Sequence, residues 1–138
     1  MAPPESFLPL TPVVFDILVS LATQDRHGYS ILVDVRERTG HALRAGSLYR
    51  ALNRLLDDGL VEELDERPDP ALDDERRRYY RLTPLGRGVA VAEAARLEVQ
   101  VKNARTARLL TAQGTPPGGA AGAGAARRAG WRRRGSNR

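Results

Sequence analysis

From Thr83 to Leu110 the chain has no helix breaker after Gly88, and the next glycine is Gly114. Thr83-Pro84 opens the segment with an N-cap followed by proline at the first helical position, where the missing N–H is no loss. Read as one helix over 83–110, the segment would be about 42 Å long at about 1.5 Å per residue. Along it Ala90, Ala94, Leu97, Val101 and Ala104 follow alternating steps of four and three, a coiled-coil seam built mainly from small residues. The small body that precedes it is shorter than such a helix and cannot cover the whole stripe. A second copy of the chain is the economical partner, which makes 83–110 a dimerisation helix and the protein a homodimer. The alternative is that the stripe packs back on the chain's own core.

Ahead of that helix the patterns are short and well punctuated. Residues 1–10 form a Pro-rich stretch, read as a flexible leader. Thr11-Pro12 repeats the cap-and-proline device, and Val14, Ile17, Leu18 and Leu21 follow at helical spacing, so a first helix spans 12–23. Residues 25–28 read as a turn. A second helix starts near Tyr29, carries Ile31, Leu32 and Val35 on one face and stops at Thr39-Gly40. Ser47 reads as the N-cap of a third helix running to Asp58, with Gly59 as its stop. Two strands, 60–64 and 78–82, alternate in polarity and flank a solvated loop, 65–75, with two prolines and six acids. The expected fold class is mainly α with a small β-hairpin. It is a winged helix-turn-helix over 11–82 followed by the long C-terminal helix over 83–110.

Charge is sorted along the chain rather than spread over it. The formal net charge is +5 and the isoelectric point near 10.4. Up to Leu110 there are 16 basic and 17 acidic residues, whereas residues 111–138 hold six arginines and no acid. Within the body, 57–75 has ten acids and one arginine. The remainder of the body is therefore strongly basic, which suits a one-faced electrostatic footprint. The tail 111–138 is Ala, Gly, Pro and Arg with Trp131 as its one aromatic residue, a composition read as disordered.

Several function classes are excluded or disfavoured by what is missing. Without cysteine there are no disulfides, thiolate metal sites or cysteine nucleophiles. No apolar run is long enough to span a membrane, and the first residues lack the pattern of a signal peptide, so the expected location is cytoplasmic. His27 and His41 have no ligand-spaced companions, so no metal or other cofactor is expected. No serine lies in a nucleophile-elbow pattern and no nucleophile–base set is present, so no enzyme is expected.

The chemistry lies instead on the third helix. Its outward face carries Ser47, Tyr49, Arg50, Asn53 and Arg54, with no acid between Ser47 and Arg54. Arginine pairs bidentately with guanine and asparagine with adenine in the major groove, while the helix start and Ser47 suit a phosphate. Arg76, Arg77, Arg78 and Arg81 on the second strand of the hairpin could reach backbone phosphates beside it. The bland alternative is a solvated polar face.

Three blocks, HGYSILVDVRERTG, GSLYRALNRLLDDGLVEE and RRRYYRLTPLGR, resemble the PadR family of bacterial transcriptional regulators in the family's own order, over about Leu10 to Leu110. The resemblance implies a winged helix-turn-helix, a homodimer joined through the C-terminal helix, and binding to a double-stranded DNA operator. It further implies a repressor relieved by a small molecule. By the same resemblance His27, Gly28 and Tyr29 open the second helix in a structural role, Ser47, Leu48 and Tyr49 open the recognition helix with Tyr49 on DNA, and Tyr79 and Tyr80 belong to the wing. Arg50 stands where the family often has proline, and the 65–75 loop and the tail are departures. An effector pocket between the dimer's helices would be lined by Ala92, Ala95 and Val99, and no ligand is named by these residues. Two rival functions belong to other classes. One is a winged-helix module that docks a protein partner through its acidic wing, and the other is a nonspecific nucleic-acid binder acting through the basic tail.

Overall fold

The computed structural model describes residues 2–64 and 78–117. The acidic loop 65–75 with Arg76 and Arg77, and the tail from 118 with Trp131, lie outside the described residues. The chain divides into two units, Met1–Ala95 and Arg96–Arg138.

In the first unit a 3-10 turn, Pro4–Phe7, precedes helix α1, Pro12–Thr23. The Thr11 hydroxyl accepts from the Val14 N–H at 3.3 Å, so the cap forms where the sequence places it. Strand β1, Arg26–His27, leads into helix α2, Gly28–Thr39, which ends on Gly40 at φ 75°, a left-handed position that favours glycine. Helix α3, Ala45–Asp57, is followed by strands β2, Val61–Glu63, and β3, Tyr79–Leu82, and then by helix α4, Pro84–Thr106. The architecture is mainly helical with a small antiparallel sheet, as the sequence patterns predict.

Three differences from the sequence reading appear in this unit. The sheet has three strands in the order β1-β3-β2, with Arg26 opposite Tyr80 and Val61 opposite Leu82. The segment read as a turn at 25–28 thus contains an edge strand, which is only two residues long and shows no alternation. Ser47 is not the cap of α3. Arg44 is, with no side-chain cap bond, and the Leu48 N–H already bonds the Arg44 carbonyl at 2.9 Å. Ala45, the strongest helix former, carries the helix back through Gly46. Residues 2–10 are not a free leader. Phe7, Leu8 and Leu10 pack against the core, and the Leu10 N–H donates to the carboxylate of Glu93 at 3.1 Å.

The core of this unit is one cluster. Ile17, Leu18 and Leu21 of α1 meet Ile31 and Val35 of α2 and Leu48, Leu52 and Leu55 of α3, with Leu60, Val61, Tyr80 and Leu82 from the sheet region. Each such leucine stabilises by about 1.5–3 kcal/mol through burial. At the start of α4 the Thr83 hydroxyl both donates to the Gly59 carbonyl at 2.7 Å and accepts from the Gly86 N–H at 3.0 Å. Gly86 lies so close to the Leu60 carbonyl that a Cβ would overlap it. Beyond it Val89 is fully buried and Glu93 is 1% exposed.

In the second unit α4 ends at Thr106, short of the expected Leu110. Arg108 has φ 63°, its N–H bonds the Arg105 carbonyl, and the Leu109 N–H reaches back to the Ala104 carbonyl at 2.8 Å. This is a Schellman ending with arginine in the place usually held by glycine, so no breaker announces it in the sequence. Thr111 and Thr115 then bond each other through hydroxyl and backbone groups. Among the described residues no helix is long and apolar enough to cross a membrane.

Candidate nucleic-acid interface

The 3.6-residue period of α3 sorts its side chains cleanly. Leu48, Leu52 and Leu55 are buried, while Tyr49, Arg50, Asn53 and Arg54 are exposed and Ser47 is half-buried in the first turn. Arg50 reaches only a long 3.4 Å contact to the Ser47 hydroxyl. Among the described residues neither Arg50 nor Arg54 makes an ion pair.

Tyr49 is held differently. It is 43% exposed, yet its phenol stands against Gly28 at the start of α2, with Cζ 2.8 Å from where a Cβ would be. Gly28 itself is buried, so the absence of a side chain there lets the first turns of the two helices approach. Beside it, His27 caps α2 by accepting from the Ser30 N–H through Nδ1 at 3.1 Å. Its ring stacks on Tyr29 and meets the edge of Tyr79 with centroids 5.3 Å apart. Capping through Nδ1 requires that nitrogen to be unprotonated.

The wing arginines are not equivalent to those of α3. Arg78 is exposed but contacts Glu63 at 3.4 Å, and Arg81 lies between Asp25 at 3.3 Å and Glu62 at 3.7 Å. Exposed pairs of this kind are worth about 0–1 kcal/mol, so a phosphate could displace them at little cost. Arg76 and Arg77 lie outside the described residues.

Sequence reasoning missed the group that orients α1 against α2. Arg26 donates to the Ser20 carbonyl at 2.9 Å and to the hydroxyls of Thr23 and Ser30, and pairs with Asp34 at 3.4 Å. Arg38 pairs with the other oxygen of Asp34 at 2.9 Å and donates to the Asp16 carbonyl. Burial pushes the Asp34 carboxyl up, but the Ser20 hydroxyl and the Arg38 and Arg26 guanidiniums outweigh it and hold the group below its ordinary value. The four-residue spacing of Asp34 and Arg38 was the one visible signal.

Of the expected seam, Ala90 packs against the chain's own core and Ala94 is exposed; in the second unit Leu97 and Ala104 are half-buried and Val101 is exposed. The buried residues of α4 are Gly86, Val89 and Glu93. Among the suggested effector-lining residues Ala92 is half-buried, and Ala95 and Val99 are exposed.

Comparison with known proteins adds to this geometry. A model of the PadR-like family of transcriptional regulators matches residues 17–92. An uncharacterized 37.1 kDa protein of a Streptomyces fradiae transposon is 40% identical over 78 residues, covering 56% of this chain and 21% of that protein. The chain thus spans about a fifth of that relative's length. Among solved structures, a PadR family transcription regulator from Clostridium difficile is 26% identical with TM-score 0.61, covering 70% of this chain and 97% of that one. A transcriptional regulator from Clostridium thermocellum is 27% identical with TM-score 0.58, covering 68% and 87% respectively.

Proposed function

The chain belongs to the PadR-like family of transcriptional regulators, and on that premise we propose that it is a homodimeric, cytoplasmic repressor released from its operator by a small-molecule effector. The family and the two solved structures are regulators rather than enzymes. Two copies of α3 would enter successive major grooves of a pseudo-palindromic operator, about one helical turn apart. Arg50, Asn53 and Arg54 would read base edges, whereas Ser47, Tyr49 and Arg76–Arg78 would set register on phosphates. Ala90, Ala94, Leu97, Val101 and Ala104 would line the dimer seam of α4, and repression would be steric.

The observation that supports α3 as the reader is the contrast in pairing. Its two arginines have no carboxylate partner among the described residues, while Arg78 and Arg81 are engaged with acids. An unpaired guanidinium contributes to DNA binding without first giving up an ion pair. Footprinting on the DNA upstream of its own gene tests the reading. A protected, symmetric site supports it, and the absence of any protected sequence at near-physiological salt overturns it. The same assay on a chain lacking 118–138 separates the body from the tail. Retained sequence selectivity assigns reading to α3, whereas loss of all binding assigns it to the tail.

A further inference from the structure

One side of α3 faces a cleft rather than open solvent. The cleft has a volume of about 470 Å³, within the range of small-molecule sites. Arg50 and Arg54 of α3 line it, together with Phe7, Leu10, Val14 and Leu60. These six residues come from three places in the chain: the N-terminal segment, α1, and the region around α3. The Leu10 wall is anchored, because its N–H is held by the buried carboxylate of Glu93. A wall held in place in the free protein needs less ordering when a ligand arrives.

We propose that this cleft binds a small aliphatic acid and that the bound acid competes with DNA for Arg50 and Arg54. The carboxylate would pair with the two guanidiniums, and the hydrocarbon body would lie against Leu10 and Val14. Charge selects the ligand class. Among the described residues Asp58 is the one carboxylate lining the cleft, so two guanidiniums leave a single positive charge in excess there, which matches a monoanion. Among the described residues Arg54 has no ion-pair partner to surrender, and guanidinium–carboxylate contacts are among the stronger hydrogen bonds. Apart from Phe7 the apolar lining is aliphatic, which suits an alkyl body and offers nothing to a phosphodiester backbone. The competition, though not the site, rests on the reading of α3 as the DNA-contacting helix. If one ligand excludes the other, each weakens the other's binding by the same factor.

The test titrates the intact, isotope-labelled protein with sodium octanoate and, separately, with 1-octanol, following backbone amides by NMR. Octanoate should move the amides of Phe7, Leu10, Ala51, Arg54 and Leu60. Octanol should bind about tenfold more weakly, and Arg54→Gln should weaken octanoate by about tenfold while leaving octanol unchanged. Arg54 is exposed and makes no ion pair among the described residues, so that variant keeps the fold. Shifts confined to the Val91–Leu109 region, no shifts at millimolar octanoate, or equal binding of acid and alcohol would each overturn the site. Octanoate should also weaken the complex with the footprinted DNA fragment. Unchanged DNA affinity with the cleft filled would overturn the competition. Failure to form any DNA complex without octanoate would sink the regulator reading and the competition with it, and the amide shifts would still decide the site.

Discussion

The phenol of Tyr49 stands in the space that a Cβ on Gly28 would need. One residue begins α2 and the other lies in the first turns of α3, so the helix-turn-helix places its exposed tyrosine by omitting a side chain on the neighbouring helix. The obstacle is the far end of a half-exposed side chain, which can swing, and not backbone, which cannot. Gly28→Ala should therefore displace Tyr49 rather than unfold the protein. The expected stability change is within about 1 kcal/mol, helped by the better helix propensity of alanine. Operator affinity should fall about as far as in Tyr49→Ala, and the double variant should bind no worse than Tyr49→Ala alone. A gel-shift cycle on the four proteins measures this, and additive losses would refute the coupling.

Gly86 offers the contrast. A Cβ there meets the Leu60 carbonyl, whose position is tied by the Thr83 N–H at 3.1 Å. Backbone on both sides must move, so Gly86→Ala should cost roughly 1–3 kcal/mol, the range for overpacking a filled site. Denaturant midpoints of the two glycine variants, measured side by side, should differ clearly. Equal stability would mean that the α4 start gives way as easily as the Tyr49 ring.

Asp34 carries a pH prediction whose sign follows from its depressed carboxyl. A carboxyl held lower in the folded than in the unfolded chain stabilises above its unfolded value, near 3.9, and that contribution is lost as pH falls through the folded value. Asp34→Asn should cost about 1.5–3 kcal/mol at pH 7, the scale of hydrogen bonds to charged groups. The gap between variant and wild type should shrink below about pH 4, as the wild-type carboxyl is protonated too. Unfolding curves across pH 3–7 check it, and a gap that does not narrow would assign the loss to something other than charge.

The α3 face and the wing should respond differently to truncation. Asn53→Ala should cost about 1–3 kcal/mol on the operator and nothing on random DNA, as expected for a base contact. Arg81→Ala removes a guanidinium already shared by Asp25 and Glu62, so it should change both stability and DNA affinity by less than about 1 kcal/mol. Competition gel shifts with specific and random duplexes separate the two outcomes. Equal weakening of Asn53→Ala on both duplexes would remove its reading role.

Much of this protein is written locally. Thr11-Pro12, Thr83-Pro84 and Gly40 mark helix ends within a few residues, and the leucines of α3 announce their buried face by period alone. The sorting of charge into an acidic 57–75 and a basic remainder is likewise visible without any fold. Local patterns are legible because caps and periodicity need only neighbours along the chain.

Other features exist only between residues far apart. A two-residue strand at Arg26–His27 has no pattern of its own and is defined by Tyr79 and Tyr80 beside it. The Leu10–Glu93 bond joins positions 83 residues apart, and it turns an apparent leader into one wall of a cleft. Arg108, in a left-handed turn usually given to glycine, ends α4 where nothing in the sequence suggests a stop. The sequence by itself determined the helices, their buried faces and the charge of each segment, since those depend on near neighbours. Tertiary structure alone decided which arginines keep acid partners, where Tyr49 stands and what faces α3, because sterics and pairing are set by distance in space.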